Sequence, residues 1–439
     1  MTSPLHETVA RPAALGPGGR PARQAQDVLP ALVGGTVCLL PILTPAGPGN
    51  TALADVGMAA SVVVALMWAT RERFQLKFPY ILGTLLLVLG GGLAALTASA
   101  PPSVALVLVQ DAVLFLWAAT LALGRHNVAI ITAATHAWCR TAPVFAGVMV
   151  VAYLIGLDAL TGVSARDGVR ASYTLGDPNL AANYLVVSLV LMAACRRPRS
   201  AGVRHTGYAL VLLAIVFTGS NGAMFTLLIA VVLCLALSQL RRRGALAGAL
   251  VLMVTALFAA VLVLVVMPRV DMQSLREQAA GSIPLLRDSF GRSAGSTSQR
   301  ATILSEGTQL FLDGNATGVG PARVKATLEA TQAPYTKEAH NDYLATLLER
   351  GVIGAIGLIA LVAAIGVRCV RLVIGTVPAP YSDAVPRAWL LAVLAPVMAT
   401  AATFYEVLHF RHMWTWLGIV AALVLALQDQ HRAGGEDVP

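Results

Sequence analysis

Residues 245–267 read ALAGALVLMVTALFAAVLVLVVM, an apolar run without a single charged side chain. A helix needs about 20 such residues to cross roughly 30 Å of hydrocarbon, so this run predicts a membrane-spanning helix. The rest of the chain has the same character, since 57% of its 439 residues are hydrophobic and only 12% are charged. Soluble globular proteins carry roughly 25% charged residues. The composition therefore excludes an ordinary soluble protein.

Outward from this run, further apolar segments predict an all-α polytopic membrane protein with about twelve transmembrane helices. We expect a disordered cytoplasmic tail at 1–27, helices one to nine in 28–267, a large and mostly helical outer loop at 268–350, helices ten to twelve in 351–428, and a cytoplasmic tail at 429–439. The apolar segments lie at residues 29–43, 52–69, 79–98, 102–123, 128–157, 179–195, 206–219, 223–240, 245–267, 351–372, 388–406 and 412–428.

The basic residues predict which ends of the helices face the cytoplasm. Lys and Arg outnumber Asp and Glu by 31 to 22, which gives a formal net charge of +9. Most of them fall in alternate loops, whereas the short loops on the other side hold only Arg166, Arg170 and Arg411. Because Lys and Arg concentrate in cytoplasmic loops, both termini are predicted inside a multi-pass cytoplasmic membrane protein. The positive charge is then a topology signal and indicates no nucleic-acid partner.

The outer loop is the one large polar insertion. Its sequence predicts an amphipathic helix near Arg300–Leu312, with Ile303, Leu304, Gly307 and Phe311 on one face and Gly314 as its stop. All five cysteines fall in or beside the membrane helices, so no disulfide framework is expected.

Polar residues of the outer face concentrate in two places, the loop 166–179 and the end of the large loop at 337–343. In the second, His340 and Tyr343 share a helix face that enters helix ten. Histidine titrates near neutrality, so His340 is the candidate general base, against the plainer alternative of an exposed histidine at a helix start.

Several short motifs carry a family resemblance. The chain resembles the O-antigen ligase and polymerase superfamily of integral membrane glycosyltransferases, whose members are polytopic and have one large periplasmic loop late in the chain. The matching residues are Arg300, Thr317-Gly318-Val319-Gly320, His340-Asn341-Asp342-Tyr343-Leu344 and Glu349-Arg350-Gly351-Val352-Ile353-Gly354. The stretch from Arg170 through Asp177-Pro178-Asn179-Leu180-Ala181 is similar to a second pattern of the family.

The resemblance implies transfer of a glycan from a polyprenyl (undecaprenyl) diphosphate carrier to an acceptor hydroxyl on the outer face, with inversion. His340 would activate the acceptor. Cations would bind the diphosphate, and arginine suits phosphate because its planar fork can hold two oxygens. The candidates are Arg170, Arg300 and Arg140, with Arg166 and Arg292 in reserve. The alternatives are surface salt bridges from Arg170 to Asp167 and from Arg300 to Glu306, and a buried bridge between Asp111 and Arg140.

Other polar residues of the motifs are candidates for the glycan or the acceptor. Asn179, Asn341 and Tyr343 are expected to contact sugar hydroxyls, although a cap on helix ten is the favoured role of Asn341. Where many relatives have Ser-Arg-Gly, this chain has Ser220-Asn221-Gly222, so a family arginine is missing. No acidic cluster occurs in the early outer turns, which predicts metal-independent transfer without a cofactor.

Three further functions remain open from the sequence. A glycan polymerase of the same superfamily shares the donor and the chemistry and differs only in the acceptor, which could be a lipid A core, a cell-wall polymer, a protein or another glycan. A transporter would use ionisable residues inside the membrane, such as Asp111 and Arg140. A peptidoglycan-type polymerase is the third possibility, but such enzymes typically rely on an acid in an outer loop.

Overall fold

A computed structural model of the chain describes residues 20–44, 47, 51–98, 101–162, 170–266, 302, 304–314, 316–330 and 341–435. Within these ranges the chain is helical and contains no β-strand, as the sequence predicts. We number the apolar helices in chain order. They are α1 (Arg20–Leu39), α2 (Leu53–Glu72), α3 (Ile81–Ala95), α4 (Pro101–Ala122), α5 (Val128–Leu154), α6 (Pro178–Cys195), α7 (Ala201–Phe217), α8 (Asn221–Arg243), α9 (Ala245–Val261), α10 (Asp342–Ile374), α11 (Leu394–Ala401) and α12 (Arg411–Gly435).

Shorter elements connect the apolar helices. A 3-10 segment at Ala388–Val393 leads into α11, and single-turn elements occupy Tyr173–Leu175 and Val407–His409. Short helices lie at Asp158–Thr161, Val324–Ala330 and Ala379–Ala384.

Among the described residues, eight helices are long and apolar enough to cross a membrane: α2, α4, α5, α6, α8, α9, α10 and α12. Four shorter apolar helices are found at Asp27–Leu39, Ile81–Ala95, Ala201–Phe217 and Ala388–Ala401. The chain is therefore a multi-pass helical membrane protein. The count of about twelve spans stays a prediction, because it requires the four shorter helices to cross as well.

Helices α6 and α12 form the centre of the bundle. Residues 412–427 of α12 are all buried, and so are most residues of α6. A helix that is apolar on every side is typically enclosed by other helices. Hydrogen bonds join α6 to its neighbours: His412 Nε2 of α12 lies 2.7 Å from Asn183 Oδ1 of α6, and Trp138 Nε1 of α5 donates to Ser188 Oγ of α6 over 2.8 Å. Helix α9, by contrast, exposes most of its apolar side chains.

Glycines let α3 and α10 approach closely. A Cβ added at Gly90 would lie 2.6 Å from both Arg350 O and Gly354 N, and one at Gly83 would lie 2.7 Å from Leu361 N. Small residues permit such close backbone contact between membrane helices, where packing replaces the hydrophobic effect. The triplet Gly90–Gly92 lies inside a continuous α3.

The even-numbered helices begin at one end of the bundle. Side chains cap three of them: Asp177 caps α6, Ser220 caps α8 and Asn341 caps α10. At the start of α2, Asp55 pairs with Arg411 at the start of α12 through two hydrogen bonds of 2.6 and 2.5 Å. We call this the capped end.

The opposite end of the bundle holds the basic residues. Arg125, after α4, lies 3.5 Å from Asp429 of α12. Arg241 Nη2 of α8 donates to Gly375 O after α10, and Arg387 N donates to Ala194 O of α6. We call this the basic end; in the topology predicted from the sequence it faces the cytoplasm.

Two predicted boundaries differ from the structure. Helix α1 begins at Arg20, so residues 20–27 are helical rather than part of a disordered tail. Helix α10 begins at Asp342, nine residues before the apolar run at 351, because Asn341 caps it and Gly351 kinks it without ending it. The predicted end of the tail was placed where the first apolar run begins. Polar residues can extend a helix beyond its apolar run, as residues 20–27 do in α1.

Candidate functional site

A chain of hydrogen bonds at the capped end starts from Arg170. Its Nε donates to Thr218 O and its Nη2 donates to Asn179 Oδ1, each over 2.9 Å. Ser220 Oγ also donates to Asn179 Oδ1, over 3.0 Å, and lies 2.9 Å from the hydroxyl of Tyr405. A serine hydroxyl has a single proton, and Ser220 donates that proton to Asn179. The Tyr405 hydroxyl is therefore the donor in its bond to Ser220. Two predicted residues, Arg170 and Asn179, are thus in direct contact.

Local sequence explains this chain of bonds. Asp177 accepts hydrogen bonds from Asn179 N and Leu180 N while Pro178 starts the helix, a combination that fixes the first turn of α6. The Ser-Asn-Gly turn caps α8, with Ser220 Oγ accepting from Ala223 N. A Cβ at Gly222 would collide with the Tyr405 hydroxyl, so glycine is required for that close approach.

The motif at the start of α10 is anchored to the turn that precedes α12. Asn341 Oδ1 accepts hydrogen bonds from Tyr343 N and Leu344 N, so the capping alternative for Asn341 is confirmed. The Tyr343 hydroxyl donates to Ala399 O of α11 over 2.9 Å. The buried Asp342 Oδ2 accepts from Val407 N over 2.7 Å and from Leu408 N over 3.2 Å. Asp342, which the sequence reasoning passed over, therefore holds that turn in place.

The Thr317–Gly320 turn docks on the kink of α10. Val319 N donates to Leu348 O over 2.8 Å and Val352 N donates to Ala316 O over 3.0 Å. Gly318 and Gly351 have φ of +90° and +62°, a region that side chains disfavour. A Cβ at Gly318 would also lie 2.6 Å from Gly351 N. The two glycine motifs thus form one backbone joint.

The predicted amphipathic helix packs beside this joint. The structure describes it as helical over 304–312, with Leu310 and Phe311 against Leu344 and Leu348 of α10. Gly314 follows with a φ of +106°, as expected for a stop. Leu304, which was expected on the packed face, is instead exposed.

A group of charged residues lies next to the same turn. Arg350 Nη2 of α10 lies 2.6 Å from Asp111 Oδ2 of α4, and both side chains are only 3% exposed. The other oxygen, Asp111 Oδ1, lies 3.6 Å from His409 Nδ1. Among the described residues Asp111 thus pairs with Arg350 and His409, and the suggested bridge to Arg140 is wrong. Arg140 was suggested as the partner of Asp111 because α5 follows α4 in the sequence. In the fold, Arg350 of α10 lies beside Asp111 of α4 instead.

The turn between α11 and α12, residues 405–409, joins all of these parts, and we call it the hub turn. Tyr405 connects it to Ser220, Asn179 and Arg170. Val407 and Leu408 connect it to Asp342, and His409 connects it to Asp111. No motif of the sequence pointed to this turn; Tyr405, Glu406 and His409 there are the residues that sequence reasoning missed.

The remaining predicted residues lie elsewhere. His340 and Arg300, and the reserves Arg166 and Arg292, are outside the described residues. Arg140 is exposed on α5, and its charge acts on His136 and Arg197 near the basic end. Helix N-termini carry partial positive charge, so the starts of α6, α8 and α10 at the capped end favour an anionic ligand there. Among the described residues no group of three or more His, Cys, Asp or Glu is placed to hold a metal ion.

Comparison with known proteins supports the resemblance seen in the motifs. Residues 206–359 match the family model described as O-antigen ligase. The match covers about a third of the chain and includes Ser220, Arg300, His340 and Arg350, while Arg140, Arg170, Asn179 and the hub turn lie outside it. No curated protein matches the chain. Residues 206–359 are therefore similar to the O-antigen ligase family, the same family that the motifs resemble.

Proposed function

We propose that this protein is a metal-independent, inverting glycosyltransferase that moves a glycan from a polyprenyl diphosphate carrier to an acceptor hydroxyl. The reaction takes place at the capped end, which faces the outside of the cytoplasmic membrane. The observation that carries the proposal is the hub turn, because it connects Arg170 and Asn179, outside the matched family segment, to Ser220 and Asp342, inside it.

In this mechanism His340 removes the proton of the acceptor hydroxyl as that oxygen attacks the anomeric carbon. The diphosphate leaves with the electrons of the broken glycosidic bond, so the site must stabilise a growing negative charge. Arg170 and Arg300 supply that stabilisation. Three helix N-termini at the capped end add partial positive charge of the same sign.

Other predicted residues take supporting parts. Asn341 and Tyr343 hold the start of α10. They follow His340 in the sequence by one and three residues. Asn179 orients the guanidinium of Arg170 through its amide oxygen. Arg140, the third arginine predicted to bind the diphosphate, is left out of this mechanism because its charge acts on His136 and Arg197 near the basic end.

A glycan polymerase of the same superfamily is the second candidate, because it uses the same donor. The experiment is incubation of the purified protein with a defined lipid-linked oligosaccharide and a panel of acceptors, with and without a chelator. Transfer to one acceptor identifies a ligase, and extension of the lipid-linked glycan identifies a polymerase. Loss of transfer with chelator would contradict the metal-free mechanism.

Variants test the named residues in the same assay. His340→Ala should lower the rate by roughly 100-fold or more, because a positioned base contributes about 10²–10⁴. Arg170→Lys should weaken the reaction as well, since lysine keeps the charge but loses the planar fork. The matched controls are His205→Ala and Arg199→Lys, two exposed residues of the basic end. Full activity of both His340→Ala and Arg170→Lys would refute the proposed site.

A further inference from the structure

His409 is the one charged group of the buried Asp111–Arg350–His409 cluster that reaches the surface. Its side chain is 39% exposed, whereas Asp111 and Arg350 are each 3% exposed. Nδ1 is the ring nitrogen that faces Asp111. In an imidazole ring the two nitrogens point in different directions, so Nε2 is turned away from that carboxylate.

The cluster places two cationic groups on one carboxylate. Asp111 Oδ2 is taken by Arg350 and Asp111 Oδ1 faces His409. Arg350 is always charged and buried, so its charge already balances that of Asp111. Protonation of His409 then gives the three-residue cluster a net charge of +1. The imidazole is the exposed part of the cluster, so this charge is accessible there.

The position of this charge is fixed by the rest of the site. His409 ends the hub turn, whose Val407 and Leu408 N–H groups are held by Asp342, two residues after His340. At the other end of the turn, Tyr405 leads through Ser220 and Asn179 to Arg170. The imidazole is thus held on a turn that is tied at both ends to residues of the proposed site.

We propose that His409 is a further donor-binding cation, whose protonated imidazole donates from Nε2 to a phosphate oxygen of the lipid diphosphate while Asp111 holds Nδ1. This inference rests on the proposed function, since it assigns a contact to the same donor. It also gives the chain a cation on the hub turn, which contacts the Ser220-Asn221-Gly222 turn that lacks the family arginine.

The charged groups around His409 set its titration. They are Asp111 of α4, Glu349, Asp342 and Arg350 of α10, and Glu406 of the hub turn. Burial disfavours the charged imidazole, but the hydrogen bond and the negative charge of Asp111 outweigh it and raise the pKa of His409 to about 9. The imidazole of His409 attracts phosphate only while it is protonated. Donor affinity should therefore be full at neutral pH and decline as pH rises through about 9.

The test is binding of glycan-free polyprenyl diphosphate to the purified full-length protein in detergent, measured by titration calorimetry from pH 6.5 to 10, beside the transfer assay. His409→Gln should raise the dissociation constant roughly 10- to 100-fold at pH 7, the size expected for one charge-assisted hydrogen bond. It should also remove the loss of affinity near pH 9. His409→Lys should restore binding and move that loss upward, since lysine titrates near 10.4.

His205→Gln, at the basic end, is the matched control and should bind as the wild type does. Wild-type affinity and pH dependence in His409→Gln would overturn the assignment. It would also be overturned if His409→Gln bound the donor as tightly as the wild type and only its turnover number fell. If the wild type binds no polyprenyl diphosphate and transfers no glycan, the proposed function fails instead. Thermal unfolding of each variant in the same detergent separates a local effect from a folding defect.

Discussion

At the scale of the residue, the buried pair Arg350–Asp111 shows why single charges matter inside this bundle. An ionised group in a low-dielectric interior is costly unless it is paired, and the 2.6 Å contact provides that pairing. Arg350 also donates to Leu87 O over 3.4 Å, so it links α10 to both α3 and α4. Removing Arg350 leaves the buried Asp111 with only the longer 3.6 Å contact to His409.

Arg350→Met should therefore lower the free energy of unfolding by about 3–5 kcal/mol. Thermal unfolding in detergent measures this loss. The double variant Arg350→Met with Asp111→Asn removes both charges and should be more stable than Arg350→Met alone. Equal melting temperatures for the wild type and Arg350→Met would show that the pair contributes nothing to stability.

Asp342 illustrates a different residue-scale role. Its carboxylate carries no ion pair in the described structure; it accepts the backbone N–H groups of Val407 and Leu408. Unpaired buried N–H groups are costly, so the hub turn depends on this side chain. The same residue places α10 against α11, because Asp342 N donates to Ala402 O over 2.9 Å.

At the scale of the element, the close contact between α3 and α10, which we call the seam, depends on glycines, which have no side chain. Gly90 lies against the backbone of Arg350 and Gly354, and Gly357 lies against Leu86 and Leu87. Because the helix backbones touch there, one methyl group is enough to separate them. The seam also sets the depth of Arg350, which must reach Asp111.

Gly90→Ala should destabilise the protein by about 1–3 kcal/mol, since its Cβ would lie 2.6 Å from Arg350 O and from Gly354 N. Gly92→Ala, two residues further along the same helix, meets nothing within 4 Å and is the matched control. Melting temperature in detergent checks both variants. A Gly90→Ala protein as stable as Gly92→Ala would mean that α3 and α10 do not touch at this point.

At the scale of the whole molecule, the two ends of the bundle differ in chemistry. The capped end gathers helix N-termini and the hub turn, whereas the basic end gathers Arg125, Arg241 and Arg387. Positively charged loops remain in the cytoplasm during insertion. The capped end should therefore face the outside of the cell.

Cysteine labelling checks this orientation in intact cells that express a cysteine-free variant. Thr403→Cys lies on an exposed position before the hub turn, and Ser200→Cys lies on an exposed position at the basic end. A membrane-impermeant thiol reagent should modify Thr403→Cys directly and Ser200→Cys only after permeabilisation. The reverse pattern would invert the topology and place the proposed site inside the cell.

The sequence alone determined the class of protein and the candidate chemistry. Apolar runs of bilayer length dictate helices whatever their partners, because every backbone polar group must be satisfied within the segment. Short motifs indicated the family, and local caps such as Asn341 and stops such as Gly314 followed from the residues around them. These features depend on neighbours within a few positions, so they can be inferred from sequence.

Only the tertiary structure decided which residues meet. Asp111 could have paired with Arg140 on the next helix, yet it lies against Arg350 and His409, far along the chain. The hub turn carries no motif and gains its importance from contacts with Asp342 and Ser220. Helix periodicity says which face a residue occupies but not which helix covers that face. That choice follows from close packing, here from the glycines that bring α3 against α10.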